Sequence, residues 1–564
     1  MDEGPRGMTL SLALLNGRIA TPGGFAEALG IEGDRIVAVG RSEDISELSS
    51  AGTREIDLRG RLAVPGFGDS HIHAVSGGLG MLRCQLLGAK TRAETVAAVA
   101  RYAAGLPEGA WVLGGGWSME AFDGGVPETA DLDAACQGRP AYLPNRDGHT
   151  AWVSHRALEL AGITAQTPDP PDGRIERDAA GRPSGALHEG AMRLVGGHVP
   201  PPSAAELAQA LTVAQNYLHS LGITSWQDAA VARSRNGDLT DNYDAHRQAA
   251  VAGTLTASVV GAIWWDRDRQ YGDQLPEIAG LREAAADGPF RAGTVKMMLD
   301  GVCETFTAAM DEPYLLTPEE QQARGCADHP AGIMFIDPDE VTRAVRALSA
   351  DGYQVHFHAL GDKAVRVALD ALAALPAHER AARRHHLAHL QFIRPQDVDR
   401  FAGLGAAANF QPLWACHSPQ IDRLTIPYVG PDREDWIYRI GALHAKGVPL
   451  AFGSDWPVSS PDPLQAIHVA VNRRMSPRLG RAGTPETETP FLPHEAIPVG
   501  AAVEAYTAGV AYVNHDDAAG RLAEGFRADV AVLNQDLFKI PTLEIGDTSV
   551  DVTIARGQVV HGNE

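Results

Sequence analysis

No CxxC pair occurs in this chain, and its five cysteines, Cys84, Cys136, Cys303, Cys326 and Cys416, are odd in number and far apart. That spacing excludes a disulfide framework and a cysteine-built zinc module, so the thiols read as reduced core residues of a cytoplasmic protein. Basic charge is also short. The 48 Lys and Arg stand against 71 Asp and Glu, a formal net charge of −23, and the acidic residues are scattered rather than gathered in blocks. Nucleic acid and anionic membrane surfaces are therefore disfavoured as partners, and neither is expected. Nor is there an uninterrupted apolar run of roughly 18 residues, the length that a membrane span requires. The opening MDEGPRGMTLSLALLNGRIA has a short apolar run with no basic leader, so no signal peptide is expected. Internal repeats and low-complexity tracts are missing too. These absences leave a protein that handles a small-molecule substrate, with a homodimer as the open assembly.

What is present is a change of style along 564 residues, too many for one ordinary domain. From Leu10 to Val64 the chain alternates short β-like runs with turns (LALLNGRIAT, ALGIEGDRIVAVG, REIDLRGRLAV), and the last fifty residues return to that style with ADVAVLNQD and VDVTIARGQVVHG. The economical reading is one small β-sandwich domain built from both termini, residues 1–64 and 514–564. Residues 65–513 instead alternate strand-like runs with Ala/Leu/Arg-rich helical stretches, the βα pattern of a parallel sheet or barrel. Eight strand candidates stand out: LAVPGFGDSHIH, GITSWQDA, LTASVVGAIWW, GTVKMMLDG, YQVHFHALGD, RHHLAHLQF, AAANFQP and PLAFGSDWPV. Eight point to an α/β fold of the TIM (β/α)8 type, with its active site at the C-terminal strand ends. The gap between the first two is too long for one βα unit, so an inserted subdomain is expected at about 80–219.

On a strand, residues two apart face the same way, which makes His71 and His73 a two-imidazole claw if they face inward. His-x-His alone also suits surface residues; the other strand ends decide. Lys296 lies in VKMMLDG among apolar neighbours, where a cation should not be buried without a partner. A desolvated lysine loses its proton easily and can take up carbon dioxide as a carbamate, a carboxylate-like bridge between metals. The bland alternative is an ion pair with a barrel aspartate. His358, His389 and Asp455 fall near the rim of strands five, six and eight, and histidine with carboxylate is the ligand chemistry of a catalytic zinc. His356 lies deeper, and His385 and His386 read as capping or supporting groups.

PGFGDSHIH, VKMMLDG, HALGDKAV, HLAHLQ, GSDWPVSSPDPL and GFRADVAVL, in this order, resemble the amidohydrolase superfamily. Within it the motifs are similar to the YtcJ-like branch (amidohydrolase family 3) that includes N-substituted formamide deformylases. The resemblance runs from about residue 10 to the C-terminus and includes DGHTAWVSHRALELAGI and SGALHEGAM in the insert. It implies two divalent ions, foremost zinc: His71 and His73 on one, His358 and His389 on the other, carboxylated Lys296 as the bridge, and Asp455 completing the first ion while acting as base. The implied reaction is hydrolysis of an amide or formamide-like C–N bond by a metal-bridging hydroxide. Trp117, His149 and Glu189 of the insert are the candidates for substrate contact, in a lid over the site. Two rival readings are a mononuclear deaminase of a heterocyclic amine, which has no use for Lys296, and a catalytically retired barrel that only binds or scaffolds.

Overall fold

The strands of the central sheet, in a computed structural model, are Phe67–Ile72, Ile223–Val231, Ser258–Trp264, Phe290–Met298, Gln354–Ala359, His386–His389, Ala407–Phe410 and Leu450–Phe452. They pair in chain order, every pair parallel. The last meets the first through Asp455 N–H to His71 O (2.7 Å) and His73 N–H to Trp456 O (2.9 Å), which draws the sheet into a barrel. All eight expected strands are in it. The structure describes residues 10–122, 125–146, 148–170, 173–233, 242–285 and 288–562; the first nine residues, part of the stretch read as leaderless, lie outside them. No helix among the described residues is long and apolar enough to cross a membrane, and all five cysteines are buried and free.

LAVPGFGDSHIH is two strands, not one. Leu62–Pro65 pairs with Arg18–Thr21 and Val530–Leu533, outside the barrel, and Phe67–Ile72 opens the barrel. Gly66 makes the joint because a Cβ there would lie 2.5 Å from Thr224 Oγ1. The sheet that holds Leu62–Pro65 has six strands from both ends of the chain and faces a four-stranded sheet made of residues 12–57. Leu12, Leu14, Ile31, Val530 and Ile554 fill the space between them, giving the sandwich architecture.

Between barrel strands one and two stands a folded unit with a six-stranded sheet running from Cys84–Gln85 at one edge to Gly173–Arg177 at the other and apolar cores of its own. The helix Ala204–Ser220 belongs to the barrel layer instead. A capping box between Ser203 and Glu206 starts it, and Leu207, Leu211 and Leu218 pack into the barrel core. It crosses helix Ala74–Leu82 so closely that a Cβ on Gly78 would lie 2.0 Å from the Ala210 carbonyl oxygen.

Candidate metal centre

Strand parity brings His71 and Lys296 into the barrel interior, where Lys296 Nζ lies 3.2 Å from His71 Nε2. Asp455 follows the eighth strand with φ 56°, a left-handed bend that a non-glycine residue adopts at a cost. The bend aims Asp455 Oδ1 at the claw, 3.4 Å from His71 Nε2 and 3.1 Å from His73 Nε2. Together the three residues have the spacing of a metal-holding group. Asp455 Oδ1 is buried and has no hydrogen-bond partner. A buried carboxylate oxygen facing two ring nitrogens without bonding to either is the environment a cation completes.

His358 and His389 sit beside this group, with ring centroids 4.5 Å apart, and His389 is also 4.5 Å from His71. Trp414 stacks on His389 at 5.5 Å. Positive φ at His389 (74°) and Leu390 (52°) turns the sixth strand's end toward the centre. Behind His358, Asp300 Oδ1 lies 3.4 Å from its Nδ1. The Asp300 carboxylate is pinned by the N–H groups of Ala309, Leu360 and Gly361. His389 Nδ1 is buried with no hydrogen-bond partner. The six residues singled out by strand position therefore meet at one end of the barrel, and the donor set suits a divalent metal.

Burial governs the charges. It lowers the Lys296 amine to about 7, and lowers His71 to about 3 with the Lys296 charge adding to the effect. Burial also pushes Asp69 up to about 7 against the bonds from Ser454 and His71. Asp69 ties strands one and eight together, accepting the His71 N–H (3.0 Å) and the Ser454 N–H (3.1 Å). Gly453 leaves room for that tie, since a Cβ there would lie 2.6 Å from His71 N.

Sequence reasoning passed over Asp69, Ser454, Gln227, Asp300 and Trp414. Parity with His71 was the available signal for Asp69. His385 does accept a main-chain bond, from Val355 N–H at 3.0 Å. His356 reaches the site itself, its Nε2 2.9 Å from His71 Nδ1.

In the insert, His149 Nδ1 is 3.0 Å from both Glu189 oxygens, and Thr305 O–H donates to Glu189 at 3.3 Å. The pair lines a cavity of about 430 Å³ together with Ile263, Trp264, Phe335 and Met298. Met298 is on the same strand face as Lys296, two residues nearer the rim. Trp117 corrects the expectation: it does not line a substrate space. It is fully buried, donates its indole N–H to Leu143 O at 2.7 Å, and packs against Phe122 and Trp152 in the insert's core.

Comparison with known proteins agrees with this geometry. The family model described as "Amidohydrolase family" matches residues 54–561. The chain is 30% identical to "Putative amidohydrolase YtcJ" of Bacillus subtilis (strain 168), covering 96% of this chain and 98% of that protein. It is 25% identical to an N-substituted formamide deformylase of Arthrobacter pascens over 94% of each. An uncharacterized metal-dependent hydrolase from Pyrococcus furiosus superposes with a TM-score of 0.70 at 26% identity, covering 94% of this chain and 100% of that one. With the histidines and the carboxylate gathered at the strand ends of such a barrel, the chain belongs to the amidohydrolase family and carries a divalent-metal hydrolase site.

Proposed function

We propose that the protein hydrolyses an amide or formamide-like C–N bond of a small molecule, using two zinc ions bridged by a carbamate on Lys296. The observation that carries this reading is the lysine. It is 3% exposed, its amine is lowered to about 7 by burial, and it bonds to an imidazole rather than to a carboxylate. An ion pair leaves such a lysine charged, whereas here the neutral amine is available to attack carbon dioxide. The N–C bond would form as the nitrogen gives its proton to solvent water, leaving a carboxylate on the Lys296 side chain.

His71, His73 and Asp455 would hold one ion and His358 and His389 the other, with the Lys296 carbamate between them. When bound, the ions polarise the substrate carbonyl and acidify water. Asp455 supplies the proton traffic, accepting a proton at Oδ1 from the attacking water and returning it to the departing nitrogen. Apolar walls at Ile263, Trp264 and Phe335 would seat the substituent, and the His149–Glu189 pair would orient its polar part. The name of the Arthrobacter pascens relative supports C–N chemistry of this type.

Elemental analysis of protein grown with zinc and bicarbonate should find about two ions per chain, and Lys296→Ala should lose metal and activity together, with partial return on adding acetate or formate. One ion or none in the wild type would sink the bridged pair. In a substrate screen, N-formyl amines, N-acyl amino acids and cyclic amides should be hydrolysed and aminopurines left intact; deamination of the purines alone would reverse the assignment.

A further inference from the structure

Two main-chain carbonyl groups fix the orientation of a buried glutamine amide. The side-chain nitrogen of Gln354 lies 2.8 Å from the carbonyl oxygens of Arg384 and Val513. A carbonyl only accepts, so this amide has one orientation, with Gln354 Oε1 toward the barrel, where it accepts the Thr294 hydroxyl at 2.7 Å. Gln227 comes next. Its nitrogen faces Gln354 Oε1 at 3.5 Å and Asn514 Oδ1 at 3.0 Å, which turns Gln227 Oε1 to His356 Nδ1 at 2.6 Å. His356 Nδ1 must then carry the proton, leaving a lone pair on Nε2, and that lone pair faces His71 Nδ1 at 2.9 Å.

We propose that Gln227 and His356 are positioning residues that hold His71 as the Nδ1–H tautomer, so that its Nε2 lone pair points at Asp455 and Lys296. The opposite tautomer sets two lone pairs against each other across 2.9 Å. The assigned one lets Lys296 donate to His71 Nε2 at 3.2 Å and accounts for the unbonded contact with Asp455 Oδ1 at 3.4 Å. Orienting a ligand histidine through its other ring nitrogen fixes its direction and raises its basicity. Here the orienting chain begins at the Arg384 and Val513 carbonyls, outside the barrel strands, and passes through Gln354, Gln227 and His356 to His71, with Asn514 holding Gln227 from the side.

The purpose assigned to the chain rests on the hydrolase reading, in which His71 binds metal; the chain itself can be tested without metal. Ring-15N-histidine spectra of the metal-free wild type, with signals identified by their loss in His71→Asn and His356→Asn, should show Nδ1 protonated and Nε2 bare in both residues. A protonated Nε2 on His71 would overturn the proposal. Gln227→Met keeps length but removes acceptor and donor, so zinc affinity in a chelator competition should fall by about 10–100-fold in a protein with near wild-type far-UV CD. A folded Gln227→Met protein within twofold of wild-type affinity also overturns it, and if that variant fails to fold the wild-type spectrum still decides. Wild-type protein that takes up no zinc would instead count against the hydrolase reading alone.

Discussion

On the proposed reading, Asp455 would hold two duties at one oxygen. As a ligand it needs only a lone pair, and as a base it needs a site that can bind and release a proton. Asp455→Asn separates them, since the amide oxygen still coordinates weakly but the side chain no longer carries a proton. Turnover should fall by about 10²–10⁴ while zinc content by elemental analysis stays close to wild type; equal loss of both would make Asp455 a ligand only. The six candidate residues could be singled out in the sequence because each carries a side chain that can bind or bridge a metal and stands in or just after a barrel strand. Their supporting residues could not. Gln227 and Asp300 are ordinary polar residues in sequence, and they matter through contacts 129 and 61 positions away, Gln227 with His356 and Asp300 with Gly361. No local pattern records such a contact.

The elements of the insert divide by what they cover. Val112–Gly115 leads to Trp117, and the glycines on this stretch are there for close approach: a Cβ at Gly114 would sit 2.2 Å from the Cys84 carbonyl oxygen. A glycine-rich run beside an aromatic reads equally as a lid or as a tightly packed sheet edge, and for that reason Trp117 was misplaced. Trp117→Ala should cost about 3–5 kcal/mol of stability, visible as a lowered denaturation midpoint, with KM unchanged in the protein that stays folded. His149→Ala, at the cavity wall, should do the reverse, raising KM or shifting substrate preference with little change in midpoint or zinc content. The eight strands were read correctly because alternation of strand and helix survives long insertions. The break inside LAVPGFGDSHIH was not, since a continuous apolar run carries no mark of the point where its partners change.

Across the whole molecule, Gly66 is the position where the two architectures share one strand path. Its N–H donates to Asp529 O at 2.9 Å, and a Cβ there would press on Thr224 from the barrel and, at 3.1 Å, on Asp529 Cβ from the C-terminal segment. Gly66→Ala should therefore destabilise the protein by about 1–3 kcal/mol through overpacking, and calorimetry should show sandwich and barrel melting in one transition. A barrel that melts at the wild-type temperature after this change would mean the two are uncoupled.

That shared path also orders events in time. During synthesis Leu62–Pro65 leaves the ribosome more than four hundred residues before its partner Val530–Leu533, so the nascent chain carries an apolar, half-paired sheet edge through the whole making of the barrel. Pairing across such a separation is slow, and an unpaired edge invites association with other chains. The barrel's first strand, one residue further on, begins its own sheet while its neighbour waits. Completion of the sandwich thus waits until Val530–Leu533 has been made, and the contacts of Gln354 and Gln227 with Val513 and Asn514 form only after most of the barrel has been made.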